Sequence, residues 1–145
     1  WLLPLSDGRR DVLGIQVATA GPGVSRREAE LHAAGAFTEY LYLHGIGVEL
    51  AEAGAEWLHR RVRQALGIDG DDAADPAALL KNGYRGCRYS FGYAACPDLA
   101  DSPRLLALLG ADRIGVSLTE TFQMVPEQST SALVFHHPNA RYFSV

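Results

Sequence analysis

Residues 114–145 read IGVSLTETFQMVPEQSTSALVFHHPNARYFSV, and this stretch decides the fold. Gly115 to Thr119 alternates in character, Ser131 to Phe135 forms a second run, and Tyr142 to Val145 a third. Side chains on a strand point alternately to opposite faces, so all three runs predict strands. Strands gathered late, behind a largely helical middle, predict an α+β arrangement rather than a doubly wound parallel sheet.

Working back toward the N-terminus, Ser102-Pro103 opens a helix that stops at Gly110, and Asp75-Pro76 opens another to about Asn82. Gly83 to Pro97 is dense in Gly, Tyr, Cys and Arg without helical period, and reads as loop with a short strand. Gly67 to Asp75 (GIDGDDAAD) is a solvated acidic loop that lacks the alternation and terminal Glu of a calcium-binding loop. Val48, Ala51, Ala55, Leu58, Val62 and Leu66 recur at three- and four-residue steps and mark a secure helix, with Arg60, Arg61 and Arg63 near its end, where they suit the helix dipole. Upstream, Ser25 and Glu28 form a capping box that predicts a helical region from about Arg26. There Leu31, Phe37, Tyr40, Leu41, Ile46, Val48 and Leu50 supply apolar contacts, and Gly35, Gly45 and Gly47 mark a break or close helix packing. Val12 to Ala18 is a short β-branched strand closed by Gly21-Pro22-Gly23.

The chain has 145 residues, 48% of them hydrophobic, which suits one globular domain over residues 1–145. It begins at Trp1 rather than Met, as expected of a domain excised from something longer. A net charge of −4 with scattered basic residues argues against nucleic acid. No signal peptide and no membrane-length apolar run is present, so a cytoplasmic, soluble protein is expected. Cys87 and Cys96 are too few for a disulfide framework and read as buried thiols.

Phosphate-binding, dinucleotide-binding, hydrolase and metalloprotease motifs are absent. His136 and His137 are adjacent, so on a strand they point apart, and His44 and His59 have no third ligand spaced to join them. No metal site is expected. Arg88-Tyr89-Ser90-Phe91-Gly92-Tyr93 stands out: an Arg offers a planar fork to a carboxylate, and a Gly lets a ligand approach the backbone.

Arg88-x-x-x-Gly92-Tyr93 followed by Ala95-Cys96-Pro97, then Leu118-Thr119-Glu120-Thr121-Phe122, Pro126 with Ser129, and His137-Pro138-x-x-x-Tyr142-Phe143 resemble, in order and spacing, the activation domain of cobalamin-dependent methionine synthase. Leu50-Ala51-Glu52-Ala53, with Glu56-Trp57-Leu58-His59 and Arg63, resembles that family's long helix. The resemblance implies a twisted, largely antiparallel sheet with packed helices and a shallow groove for S-adenosylmethionine. It also implies the function: presenting the methyl group of S-adenosylmethionine for reductive methylation of cob(II)alamin, which reactivates an enzyme that carries methyl groups from methyltetrahydrofolate to homocysteine. The partners implied are the cobalamin-binding domain of the same polypeptide and a flavodoxin-like electron donor.

By the same resemblance Arg88 pairs with the ligand carboxylate, Gly92 and Tyr93 shape the pocket wall, Tyr142 and Phe143 offer a π face, and Glu52 meets the ligand's polar or cationic groups. No catalytic acid or base is assigned, because a sulfonium is already an activated methyl donor. The family's upstream segment, with an acidic residue for the ligand's amino group, is not found before Trp1, and the fragment is not expected to turn over alone. Two other readings are a non-catalytic docking or regulatory module of the same fold, and a stand-alone small-molecule methyltransferase. The lack of a glycine-rich strand–helix turn counts against the second.

Overall fold

A computed structural model describes Ser6, Gly8 and residues 11–141. Its centre is β5, Ser129–Phe135, the strand expected around Ser131 to Phe135. β5 is antiparallel on both sides, pairing with β1 (Gly14–Thr19) from Gly14↔Val134 to Thr19↔Ser129 and with β2 (Cys87–Tyr89) from Cys87↔Phe135 to Tyr89↔Leu133. The order is therefore β1-β5-β2. A second antiparallel pair joins β3 (Ser117–Leu118) to β4 (Met124–Val125).

Directly opposed residues share a face of the sheet, and this assigns the two layers. Gly14, Gln16 and Ala18, opposite Val134, Ala132 and Thr130, face helix α2, Phe37–Ala65. Gln16 Nε2 donates to the Ala55 carbonyl of that helix at 3.1 Å. Arg88 is paired with Val134 and so lies on the same face. Ile15, Val17 and Leu133 face the other way, onto Leu105 and Leu106 of helix α4, Ser102–Leu109, with Ala111 and Val116 completing that core.

The first helix, α1, spans Pro22–Ala33 and starts earlier than the expected Arg26. Pro22 occupies the first turn behind Gly21 at φ +86°, where a left-handed backbone suits glycine. The Ser25–Glu28 capping box does not form. Both side chains are spent on β5's approach instead: Ser25 Oγ donates to Gln128 Oε1 at 3.1 Å, and Gln128 Nε2 donates to both Glu28 oxygens at 2.7 Å. Gly35, at φ +72°, separates α1 from α2.

The buried stripe of α2 is Gly47, Ala51, Ala55, His59 and Arg63, one residue per turn. Its first members are small because the helix lies close: a Cβ on Gly47 would come within 2.9 Å of Gln128 Cγ. The larger residues expected to pack, Phe37, Leu41, Ile46 and Leu50, are exposed.

Shorter elements adjust similarly. Helix α3 is Pro76–Leu79, capped by Asp75, and ends before Asn82, which adopts φ +60°. The strand expected over Gly115 to Thr119 shrinks to Ser117–Leu118 because Gly115, at φ +76°, closes the preceding turn. The run Tyr142 to Val145 lies outside the described residues. No described helix is long and apolar enough to cross a membrane.

Candidate functional site

β2 is only three residues long, so β5 is paired on that side at Leu133–Phe135 and, among the described residues, has no strand partner there from Ser129 to Ala132. Those four residues form the floor of a cleft of about 960 Å³. Glu52 and Ala55 of α2 wall it on one side, and Phe122 to Val125 at the β3–β4 turn on another, with Tyr93 at its mouth. Unpaired strand-edge amides and carbonyls are ready hydrogen-bonding groups for whatever occupies such a space.

Of the six residues singled out in the sequence, Arg88, Glu52 and Tyr93 line this cleft together. Gly92 stands just behind Tyr93 at φ +87°, and a Cβ there would meet Leu99 Cδ2 at 3.0 Å. Gly92 N donates to the Cys96 carbonyl at 2.8 Å and Cys96 N to the Tyr93 carbonyl at 2.9 Å, a tight loop that leaves Tyr93 64% exposed. Tyr142 and Phe143 lie outside the described residues.

Arg88 is not isolated. Its Nη1 donates to Glu56 Oε2 at 2.8 Å, and among the described residues Nε and Nη2 make no hydrogen bond. The Tyr84 hydroxyl lies 3.1 Å from the same Glu56 oxygen and 2.9 Å from Asn82 Oδ1, so its single proton is shared between the two acceptors. Behind them Arg63, 1% exposed, grips Asp72 with two bonds of 2.7 and 2.8 Å, while its guanidinium carbon lies 4.0 Å from the centre of the Tyr84 ring. Glu56 Oε1 is 3.9 Å from Arg63 Nη1. Two guanidinium and two carboxylate groups are thus collected behind the cleft, and their formal charges cancel. Arg63 stands in the last turn of α2, where its charge suits the helix dipole as expected, and it is also a buried ion-pair residue.

His59 packs edge-on against Tyr84 at 4.9 Å between ring centres. Burial, helped by the Arg63 and Arg88 charges, pushes its imidazole down to about 3, so it is neutral at physiological pH and does not compete for the carboxylates. Burial, with the Glu56 carboxylate, pushes the Tyr84 phenol up to about 12, which keeps it a donor. The depressed imidazole ties stability to pH. Below the ordinary value of 6.5 the unfolded chain takes up a proton that the folded chain refuses until about 3, so stability is full above that window and falls as pH drops through it. We expect urea denaturation to show a loss of about 1.4 kcal/mol per pH unit near pH 5, absent from the slope of His59→Gln.

Tyr84, Glu56 and Asp72 were not among the residues singled out as the site. Glu56 does have a signal, standing one helical turn beyond Glu52. Tyr84 and Asp72 lie in loops and offer none. Among the described residues no group of three His, Cys, Asp or Glu side chains could hold a metal ion. Cys87 is buried as expected and Cys96 only half-buried; burial pushes both thiols up.

A family model described as the activation domain of vitamin B12 dependent methionine synthase matches residues 1–145. Methionine synthase of Mycobacterium tuberculosis (strain ATCC 25618 / H37Rv) is 51% identical over 144 residues, covering 95% of this chain. That of Mycobacterium leprae (strain TN) is 48% identical over 141 residues, covering 93%. The chain spans 12% of the length of each of these relatives. A crystal structure of the MetH reactivation domain bound to AdoHcy superposes with a TM-score of 0.90 at 30% identity, over 97% of this chain and 44% of that one.

Proposed function

The chain belongs to the activation-domain family of vitamin B12 dependent methionine synthase, and from that membership we propose that its cleft binds S-adenosylmethionine and presents the methyl group to cobalamin carried elsewhere in the parent enzyme. The observation that carries the reading is the convergence of Arg88, Glu52 and Tyr93 on one cleft whose floor is the Ser129–Ala132 segment of β5. The superposed reactivation domain was solved with AdoHcy, the demethylated form of the same ligand.

The donor set fits this ligand's chemistry. Arg88 has a free guanidinium edge for the amino-acid carboxylate. Glu52, exposed on the cleft wall, supplies negative charge for the ammonium or the sulfonium. Tyr93 offers an aromatic face at the mouth, and the β5 edge offers backbone groups to ribose and adenine polar atoms. Tyr142 and Phe143 complete the proposed set as aromatic contacts. Gly92 contributes through the loop that places Tyr93.

The cobalamin, when present, supplies the metal nucleophile that accepts the methyl group. This chain's residues bind and orient the donor, and holding it in line is the whole of their contribution. No side chain of the cleft is required to move a proton. The cobalamin-binding domain of the same polypeptide and a flavodoxin-like electron donor are the partners this role calls for.

Isothermal titration with S-adenosylmethionine, beside Arg88→Ala, tests the reading. Saturable binding is expected, weakened about 30- to 100-fold in the variant, as for loss of a charge-assisted hydrogen bond. Full affinity in Arg88→Ala would remove the carboxylate role. No binding by the unaltered protein would leave a docking module of the same fold in its place.

A further inference from the structure

We propose that Glu56 is a positioning residue for ligand binding: it clamps Arg88 so that the guanidinium presents its free edge to the cleft, and Tyr84 and Arg63 in turn hold Glu56. The inference rests on the reading of Arg88 as the carboxylate-binding residue and adds what holds it.

An arginine has several freely rotating bonds, and an unrestrained one loses much of that freedom when it binds a ligand. Arg88 sits on the short edge strand β2 with its side chain 21% exposed, so packing confines its stem while the direction of the guanidinium depends on its hydrogen-bond partner. The short contact from Nη1 to Glu56 Oε2 at 2.8 Å sets it, because it fixes one end of a planar fork and thereby the direction of the other. Glu56 is itself held chiefly through Oε2, with only a longer charge contact at Oε1. Oε2 lies 3.1 Å from the Tyr84 hydroxyl, whose proton it shares with Asn82 Oδ1, and Oε1 faces Arg63 Nη1 at 3.9 Å.

Arg63 does not need Glu56 for neutralisation, since Asp72 already holds it with two short bonds. The carboxylate of Glu56 is therefore directed at Arg88 and Tyr84 rather than consumed in a buried ion pair. His59 stays neutral and makes no rival claim on it. Its negative charge also opposes a second carboxylate on Arg88, so geometry and charge act in opposite directions, and the two can be separated.

The experiment uses the whole 145-residue chain and two conservative variants of it. Glu56→Gln keeps reach and an acceptor oxygen but removes charge. Glu56→Asp keeps charge but shortens the reach. Affinities are measured for S-adenosylmethionine and for 5′-methylthioadenosine, which has the same nucleoside and no amino-acid carboxylate. Positioning predicts that Glu56→Asp weakens S-adenosylmethionine about tenfold while methylthioadenosine stays within about twofold, and that Glu56→Gln stays within about threefold for both. Equal weakening of both ligands by Glu56→Asp would mean a merely structural role and overturn the proposal. So would tighter S-adenosylmethionine binding in Glu56→Gln with Glu56→Asp unchanged, which would mark Glu56 as a competitor for Arg88. Failure of the unaltered protein to bind S-adenosylmethionine would overturn the ligand assignment itself, and the proposal with it.

Discussion

Replacing Arg63 by alanine is expected to lower folding stability by about 3–5 kcal/mol, a large effect for a single substitution. The side chain is 1% exposed, and its removal deletes two short hydrogen bonds and the contact with the Tyr84 ring. Most of the loss comes from what stays behind. Asp72, with 11% side-chain exposure, keeps a carboxylate in a site where water reaches it poorly. The double variant Arg63→Met with Asp72→Asn should therefore recover a substantial part of the loss, because it leaves no unpaired charge. Chemical denaturation at neutral pH checks both. A double variant no better than Arg63→Ala would place the loss in packing instead of in the orphaned charge.

Gly86→Ala is expected to cost about 3 kcal/mol and to weaken ligand binding at the same time. Gly86 precedes β2 at φ +90°, a conformation that an L side chain rarely adopts. A Cβ there would also collide with the Phe135 carbonyl oxygen and lie 3.1 Å from His136 Cα. Both neighbours are backbone at the end of β5, so neither can rotate away. Relief comes only by drawing β2 off β5, and Arg88 is the middle residue of β2. Urea denaturation combined with titration would show the two losses together. Lost stability with unchanged S-adenosylmethionine affinity would show that Arg88 does not depend on the β2 register.

Legibility in the sequence differs by element. β5 was legible as an apolar run, Ala132 to Phe135, long enough for a strand; β4 was not, because Met124 and Val125 are too short to show a period. Helix α2 was legible over Val48 to Leu66, but its start at Phe37 and its unbroken passage through Gly45 and Gly47 were not, and its buried face was legible only in part. Ala51 and Ala55 were legible from their spacing and Gly47 as a mark of close packing, and all three are buried; Phe37, Leu41 and Ile46, expected to pack by size, are exposed, and His59 and Arg63 take the buried positions further along. Arg88, Gly92 and Tyr93 were legible as a local motif. The partner of Arg88 was not, because Glu56 of α2 meets it only once β2 has joined the sheet on which α2 packs, a juxtaposition that no local spacing encodes. The burial of Arg63 in an ion pair was hidden for the same reason. Its acidic partner comes from a loop nine residues on, and a run of arginines near a helix end looks the same whether solvated or buried.

The register joining Gly14 to Val134 unites residues about 120 positions apart, and the strand that completes it is synthesised after every element it joins. The α1–α2 hairpin is a local structure and forms early. The sheet must instead close a very long loop before any of its contacts offset the entropy lost, which makes this a slow step in folding. A chain emerging from the ribosome at about 5–20 residues per second therefore carries β1 with a bare edge until Phe135 has appeared. During that interval its exposed strand is a target for chaperones, and an arrest before Ser129 leaves a nascent chain that has helices but no cleft.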